Sequence, residues 1–114
     1  MNNRTHIPAH RLDTEIAKLG KRLKTLRADL RQRQQEATSF RQFLPLAEQA
    51  EQEAQRFVGS NTAMTILVQS AVADQRRACE ENLAQAEADA VALAEEINLL
   101  NANYGALLEL KEEN

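Results

Sequence analysis

The feature of this sequence that most constrains its fold is a series of apolar residues spaced alternately four and three apart. The first series is Leu12, Ile16, Leu19, Leu23, Leu26 and Leu30. The second series is Cys79, Leu83, Ala86, Ala90, Leu93, Ile97, Leu100, Tyr104 and Leu107. In a seven-residue repeat these are the a and d positions, which lie along one side of an α-helix. The spacing therefore predicts two helices that each bury one narrow seam.

Composition leaves few alternatives to helices. The 114 residues include three glycines and two prolines, too few for an all-β fold that turns about every ten residues. A single cysteine excludes a disulfide scaffold and a cysteine-based zinc site. Three phenylalanines and one tyrosine supply little material for a compact globular core. We therefore expect one small all-α domain.

The first predicted helix runs over about 10–58, after a flexible arm at 1–9. Pro8 suits the start of a helix, because its missing N–H has no partner there in any case. Pro45 lies inside the helix, where a proline removes one hydrogen bond and clashes with the preceding turn. We expect a kink near Pro45, with a complete break as the alternative.

The second predicted helix runs over about 62–112 and follows a short turn. Gly59 suits a left-handed helix end, and Ser60, Asn61 or Thr62 can cap the next helix. A short turn makes the two helices antiparallel neighbours. The predicted fold is an all-α, antiparallel two-helix coiled-coil hairpin forming a single domain over 10–114. Because one seam buries little area, we also expect pairing into a four-helix bundle.

The charge distribution is consistent with this hairpin. Residues 1–35 carry nine basic and three acidic side chains, whereas residues 61–114 carry three basic and ten acidic ones. A turn next to Gly59 predicts that residues whose numbers add to 116 face each other. This register gives the layers Leu12–Tyr104, Ile16–Leu100, Leu19–Ile97, Leu23–Leu93, Leu26–Ala90, Leu30–Ala86 and Ala37–Cys79. It also brings together the flanking pairs Arg22–Glu96, Arg27–Glu87 and Asp29–Asp89.

Two apolar segments are candidate contact surfaces. The run from Phe57 to Ala73 contains no charged residue, and its apolar side chains cover a wider arc than one seam needs. The segment 39–46 holds two of the three phenylalanines beside Pro45, and aromatic residues are good anchors for a protein partner. The residues predicted to bind a partner are Phe40, Phe43, Phe57, Met64, Ile66, Leu67 and Val68.

No residue pattern predicts catalysis or a cofactor. The sequence contains no nucleophile paired with a base and no phosphate-binding loop. Adjacent glutamates, such as Glu95 and Glu96, point about 100° apart on a helix and do not converge. His6 and His10 lack further ligands, so no metal site is expected. We interpret Cys79 as a small core residue, with cross-linking of two chains as the alternative.

The basic stretch from Lys18 to Arg33 raises nucleic acid or an acidic membrane surface as alternative partners. Its cations lie all round the helix rather than on one side, so we do not expect these partners. Residues 1–6 contain no apolar leader, and the longest uncharged run is too polar for a membrane span. The expected location is the cytoplasm, where a lone cysteine stays reduced.

Two families share features with this pattern. Two long helices with a basic first helix resemble the small stalk proteins of type III secretion export gates, which act inside an ATPase ring. Phe57-Val58-Gly59 is similar to the Trp-x-Gly turn of small secreted helical-hairpin proteins, with Phe in place of Trp. The export motif of the latter, a tyrosine followed four residues later by an acid, is not matched, because Leu108 takes that place after Tyr104.

The sequence therefore favours a non-enzymatic coiled-coil protein that works through protein–protein contacts at the hairpin tip and the kink. The expected partner is another protein, a second copy of the chain, or both, with a dimer as the first expectation. A stalk or chaperone component of a secretion export apparatus is one alternative. A basic-helix binder of nucleic acid or membrane is the other.

Overall fold

The computed structural model describes residues 8–56 and 62–113. They form two helices, α1 over Ala9–Gln55 and α2 over Thr62–Glu113, and no strand is present within those ranges. The predicted all-α, two-helix fold class is confirmed. The predicted turn at Gly59 lies outside the described residues, as does the predicted arm apart from Pro8 and Ala9.

Helix α1 passes through Pro45 without interruption. The proline removes the hydrogen bond that would join residue 45 to the carbonyl of Arg41, but the helix continues for ten residues beyond it. The alternative of a complete break is therefore wrong, and the kink stays a prediction. At the other end of the helix, the Pro8 carbonyl accepts hydrogen bonds from the amides of Arg11 and Leu12, at 3.0 and 3.1 Å.

The chain divides into two compact units, and each contains a part of both helices. We call residues 1–31 with 91–114 the terminal unit, and residues 32–90 the central unit. In the terminal unit Asp13 pairs with Lys111 at 2.8 Å and Arg22 with Glu96 at 3.2 Å. Partner numbers fall along α2 as they rise along α1, so the helices are antiparallel there.

The central unit shows the same antiparallel order when it is considered by itself. Arg33 lies 3.8 Å from Asp89, and Arg41 lies 3.2 Å from Glu87. Further along α1, Glu51 pairs with Arg76. The predicted antiparallel relation of the two helices is thus present in both units.

The buried apolar residues of the described chain all occupy a or d positions of the two predicted seams. In the terminal unit they are Leu12, Leu23, Leu26 and Ile97. In the central unit they are Ala37, Ala47, Ala54, Cys79 and Ala86. The heptad spacing therefore identified the inward side of each helix, and at the same spacing the α1 seam continues beyond Leu30 to Ala37, Ala47 and Ala54.

The main cluster of the terminal unit is built from large aliphatic side chains. Leu23, Leu26 and Ile97 form its buried centre, and four half-buried seam residues pack around them: Leu30, Leu93, Leu100 and Tyr104. The ring of Tyr104 comes within 3.7 Å of the position that a Cβ atom would occupy on Gly20. Tyr104 is therefore level with the turn of α1 that contains Gly20.

The predicted register is wrong by one heptad. Arg22 pairs with Glu96 as expected, but Arg27 donates to Asn101 at 2.9 Å instead of pairing with Glu87. The numbers of these two pairs add to 118 and 128, so the facing a and d residues add to about 123 rather than 116. Tyr104 accordingly lies beside Gly20 and not beside Leu12.

The other two flanking pairs also change partners. Glu87 accepts a hydrogen bond from Arg41 at 3.2 Å. Asp89 accepts one from Gln85 at 2.8 Å and lies 3.8 Å from Arg33. When one helix is shifted by seven residues along the other, a positions still face d positions. The apolar pattern alone therefore does not distinguish the two registers.

Substitution of Leu26 tests the importance of the seam. Leu26 is 2% exposed, so Leu26→Ala should lower the free energy of unfolding by about 3 kcal/mol, through lost transfer energy and the cavity left behind. Leu99→Ala is the matched control, because Leu99 is 64% exposed on α2. We expect it to change stability by less than about 0.5 kcal/mol in urea unfolding. Equal losses for both variants would contradict the assigned seam.

The Asp13–Lys111 pair predicts a pH dependence. Its hydrogen bond, with the attraction between the charges, raises the pKa of Lys111 above the usual 10.5. Because the folded-state pKa is the higher one, the pair stabilises the fold fully below pH 10.5, and that contribution disappears as pH rises through the raised pKa. Asp13→Asn should therefore lower the thermal midpoint slightly at neutral pH and not at all once Lys111 is deprotonated. Asp29→Asn serves as the control, and a shift for Asp13→Asn that is independent of pH would contradict this account.

Candidate interaction surface on the central unit

The structure places six of the seven predicted contact residues within its described ranges. Phe40 is half-buried on the α1 seam and Phe43 is exposed beside it. On α2 the four apolar side chains are all exposed: Met64, Ile66, Leu67 and Val68. Phe57 lies outside the described residues.

The two phenylalanines of α1 line an open groove between the helices of the central unit. The groove has a volume of about 390 Å³. It is lined by Ser39, Phe40 and Phe43 of α1 and by Gln75, Ala78, Cys79 and Asn82 of α2. At its floor the Cys79 thiol donates to the Phe40 carbonyl at 3.6 Å. Cys79 is a buried core residue, as expected, and its burial argues against a cross-link between chains.

The outer walls of this groove belong to a larger surface without charged residues. The g and c positions of the heptad lie together on one side of each seam. In the central unit they are uncharged over 39–50 of α1 and 64–82 of α2, and the charged residues at these positions, Glu36, Glu53 and Asp89, lie beyond those stretches. We call the uncharged set the uncharged face: Ser39, Phe43, Leu46 and Ala50 on α1, and Met64, Val68, Ala71, Gln75, Ala78 and Asn82 on α2. Leu46, 61% exposed, lies three residues beyond Phe43 on this face and was missed by the residue list drawn from sequence.

Two of the predicted residues lie off this face. Successive residues of a helix are rotated by about 100°, so Ile66 at an e position lies across the seam from Val68. Leu67, at an f position, points away from the seam and borders the face beside Met64. Both side chains are strongly exposed, at 60% for Ile66 and 65% for Leu67.

The seam of the central unit contains polar residues where apolar ones would be expected. Extending the α2 heptad towards its start places Gln69 and Arg76 at a positions and Val72 at a d position. All three are half-buried, whereas the more apolar Leu67 is exposed. The first turns of α2 thus turn two polar side chains, Gln69 and Arg76, towards the seam and leave Leu67 exposed.

The side chain of Gln69 makes a hydrogen bond to the last turns of α1. The side-chain amide donates to the carbonyl of Ala54 at 3.2 Å. The last carbonyls of a helix lack partners within the helix, and α1 ends at Gln55, so this bond supplies one of these carbonyls with a donor from α2. The backbone amide of Arg56 also donates to the backbone carbonyl of Glu53 at 3.1 Å, and this bond tightens the last turn.

Arg76 forms the ionic part of the seam. Its guanidinium donates to Glu51 across the helix pair and to Glu80 on its own helix, the latter at 2.9 Å. The side chains of Arg76 and Glu51 are only 24% and 19% exposed. Hydrogen bonding to Glu51 first, then to Glu80, raises the pKa of Arg76 above its ordinary value. Arg76 therefore stays charged within the seam.

The side of the central unit opposite the uncharged face is strongly polar. A second open cleft, of about 310 Å³, is lined there by Glu48, Glu51, Gln52, Gln55, Arg76 and Glu80. The Arg41–Glu87 ion pair lies on the same side, because both residues occupy e positions. The central unit therefore has one charged side and one uncharged side.

The arrangement of titratable groups offers no obvious ligand site. Among the residues that the structure describes, no three His, Cys, Asp or Glu side chains are grouped so that they could hold a metal ion. Within the same ranges, neither helix has a segment with the length and apolarity to span a membrane.

Comparison of the chain with protein-family models, with curated proteins and with solved structures finds no match.

Removal of the Gln69 side chain tests its role at the end of α1. Gln69→Ala leaves the Ala54 carbonyl without its donor, so we expect the free energy of unfolding to fall by about 1 kcal/mol. Gln52→Ala removes an exposed glutamine from the charged side and should be neutral within about 0.5 kcal/mol. Urea unfolding measures both variants. Indistinguishable results would show that the Gln69 contact contributes nothing.

Proposed function

We propose that this chain is a non-enzymatic helical interaction protein that acts through protein–protein contacts made by the uncharged face of the central unit. The observation that supports this function best is the distribution of side-chain size in that unit. Its buried positions hold small residues, whereas several of its large apolar side chains are exposed to solvent.

The contrast with the terminal unit shows the effect. The terminal unit buries three leucines and an isoleucine, whereas the central unit buries four alanines and a cysteine. Each buried CH₂ group contributes about 0.8 kcal/mol, so an alanine layer stabilises a helix pair much less than a leucine layer. The central seam therefore buries less apolar surface than it would if the large apolar residues of this unit occupied its a and d positions.

Large apolar side chains are instead available on the outside. Phe43, Leu46 and Val68 are exposed on the uncharged face, and Leu67 borders it. Contiguous exposed apolar surface on a protein commonly marks a contact site. The centres of protein–protein interfaces are depleted in charged residues and enriched in aromatic residues and methionine, which matches this face.

The cations of the central unit do not favour a nucleic-acid or membrane partner. Arg41, Arg76 and Arg77 pair with Glu87, Glu51 and Asp74. Binding to phosphates depends on cations that are available to replace counterions, and these three are already compensated by carboxylates. We include a cytoplasmic location in the proposal because Cys79 is a buried free thiol.

Two leucines at equivalent heptad positions provide a matched test. Leu46 and Leu99 both occupy c positions and are 61% and 64% exposed, but only Leu46 lies on the uncharged face. We expect Leu46→Asp to abolish association with protein partners, including other copies of the chain, because an aspartate in the interface would be desolvated without a counterion. Leu99→Asp should leave association unchanged.

The measurements are light scattering, affinity capture with mass spectrometry, and circular dichroism. Both variants should keep the helicity of the wild-type protein. If the wild type captures secretion components and Leu46→Asp does not, these contacts would be identified as contacts with a secretion export apparatus. The proposed function is wrong if the wild-type protein is monomeric and captures nothing, or if the two variants behave alike.

A further inference from the structure

We propose that the occupant of the uncharged face is a second copy of this chain, packed in the same direction so that α1 of one copy lies on α2 of the other. The two-fold axis would run parallel to the helices, and the four helices of the paired central units would form a bundle. This inference rests on the proposed function and specifies its partner. Three properties of the face support it.

The first property is the complementary size of the side chains that α1 and α2 contribute. On α1 the face is bulky at Phe43 and Leu46, whereas on α2 it is small at Ala71 and Ala78. A two-fold axis parallel to the helices places α1 of each copy on α2 of the other, so that the bulky Phe43 meets the small Ala78. In this arrangement Phe43 of one copy lies over Ala78 of the second and enters the groove beside it.

The second property is the agreement between two registers. The face repeats at the heptad spacing on both helices, so it can form a seam of its own. In the proposed register, residues of the two copies face each other when their numbers add to 121. The facing pairs are Ser39–Asn82, Phe43–Ala78, Leu46–Gln75 and Ala50–Ala71. Within one copy of the central unit, Gln69 at an a position contacts Ala54 at a d position, so the facing a and d residues add to about 123. A difference of two residues is a shift of about 3 Å, so one side-by-side arrangement serves both seams.

The third property is the electrostatic compatibility of the face with itself. The four pairs contain no charged residue, so association brings no like charges together and desolvates none at these positions. The next pair in this register is Glu53–Val68, which places the exposed Glu53 at the end of the uncharged stretch. The opposite direction of packing would put α1 on α1 and α2 on α2. Phe43 would then meet the bulky Leu46 of the second copy instead of the small Ala78.

Mass measurement with a matched pair of lysine variants tests the dimer. The wild-type chain of 12.8 kDa should sediment as a dimer of twice that mass at micromolar concentration. Ala78→Lys places a charge on the small side of the face and should weaken the dimer on the order of a hundredfold or more. Ala84→Lys adds the same charge at an exposed position off the face and should leave the dimer intact. A monomeric wild type, or equal effects of the two lysines, would overturn the proposal.

Single-cysteine chains test the direction of packing. In a Cys79→Ala background, chains with Ala50→Cys and chains with Ala71→Cys are mixed and oxidised, and non-reducing electrophoresis detects the cross-link. Same-direction packing predicts a disulfide between these two chains. Opposite packing with Phe43 on Leu46 places Ser39 on Ala50 of the second copy and predicts instead a disulfide between Ser39→Cys and Ala50→Cys chains, and that result would overturn the arrangement. Neither chain can cross-link internally, because each contains one cysteine.

The combined results separate this inference from the proposed function. A monomeric wild type that loses capture of a different protein on Leu46→Asp would refute the second copy and support the interaction function. A monomer that captures nothing would refute both. A dimer that survives Ala78→Lys would place self-association elsewhere on the chain and so overturn this inference.

Discussion

The structure depends on a single constraint, which is that each helix has only one seam for burial. The buried apolar residues of the described chain all lie at a and d positions, and the rest of each helix faces water or charged neighbours. A two-helix arrangement has no third layer in which to hide a further apolar side chain. Whatever large apolar residues lie off the seam are therefore exposed by the geometry itself.

The central unit uses its seam in an unusual way. Glu51, Gln69 and Arg76 occupy or border positions that an apolar residue could have filled. A buried ion pair seldom adds much net stability, but it can specify one register against others. A slip of one heptad would move Arg76 from Glu51 to the level of Leu44, so this pair opposes the slip that the apolar pattern permits. The polar seam and the apolar outer face are two consequences of the same α2 register.

Much of the fold could be predicted from the sequence, because helix spacing and chain punctuation are local signals. The 4-3 spacing identified both helices and the inward residues from Leu12 to Leu107. The register could not be obtained in this way, since a shift of seven residues preserves the apolar layers. The prediction relied on a midpoint next to Gly59, whereas long side chains such as those of Arg27 and Arg41 show the actual alignment.

The candidate surface was only partly visible in the sequence. Aromatic content drew attention to Phe40 and Phe43, and the uncharged run drew attention to Met64 and Val68. The role of Leu46 was missed because the two segments were considered separately. Placing both segments on one heptad wheel would have shown a shared uncharged side. The inward position of Gln69 could not be seen, since the α2 register was ambiguous before Val72.

Solvent accessibility of leucine methyl groups tests the central claim most directly. A soluble nitroxide broadens the NMR signals of methyl groups that water can reach, and Leu46 and Leu99 are almost equally exposed in the single chain. If the uncharged face binds a second copy of the chain, the Leu46 methyls should become protected as protein concentration rises, while those of Leu99 stay accessible. Equal accessibility of the two leucines at every concentration would contradict the account.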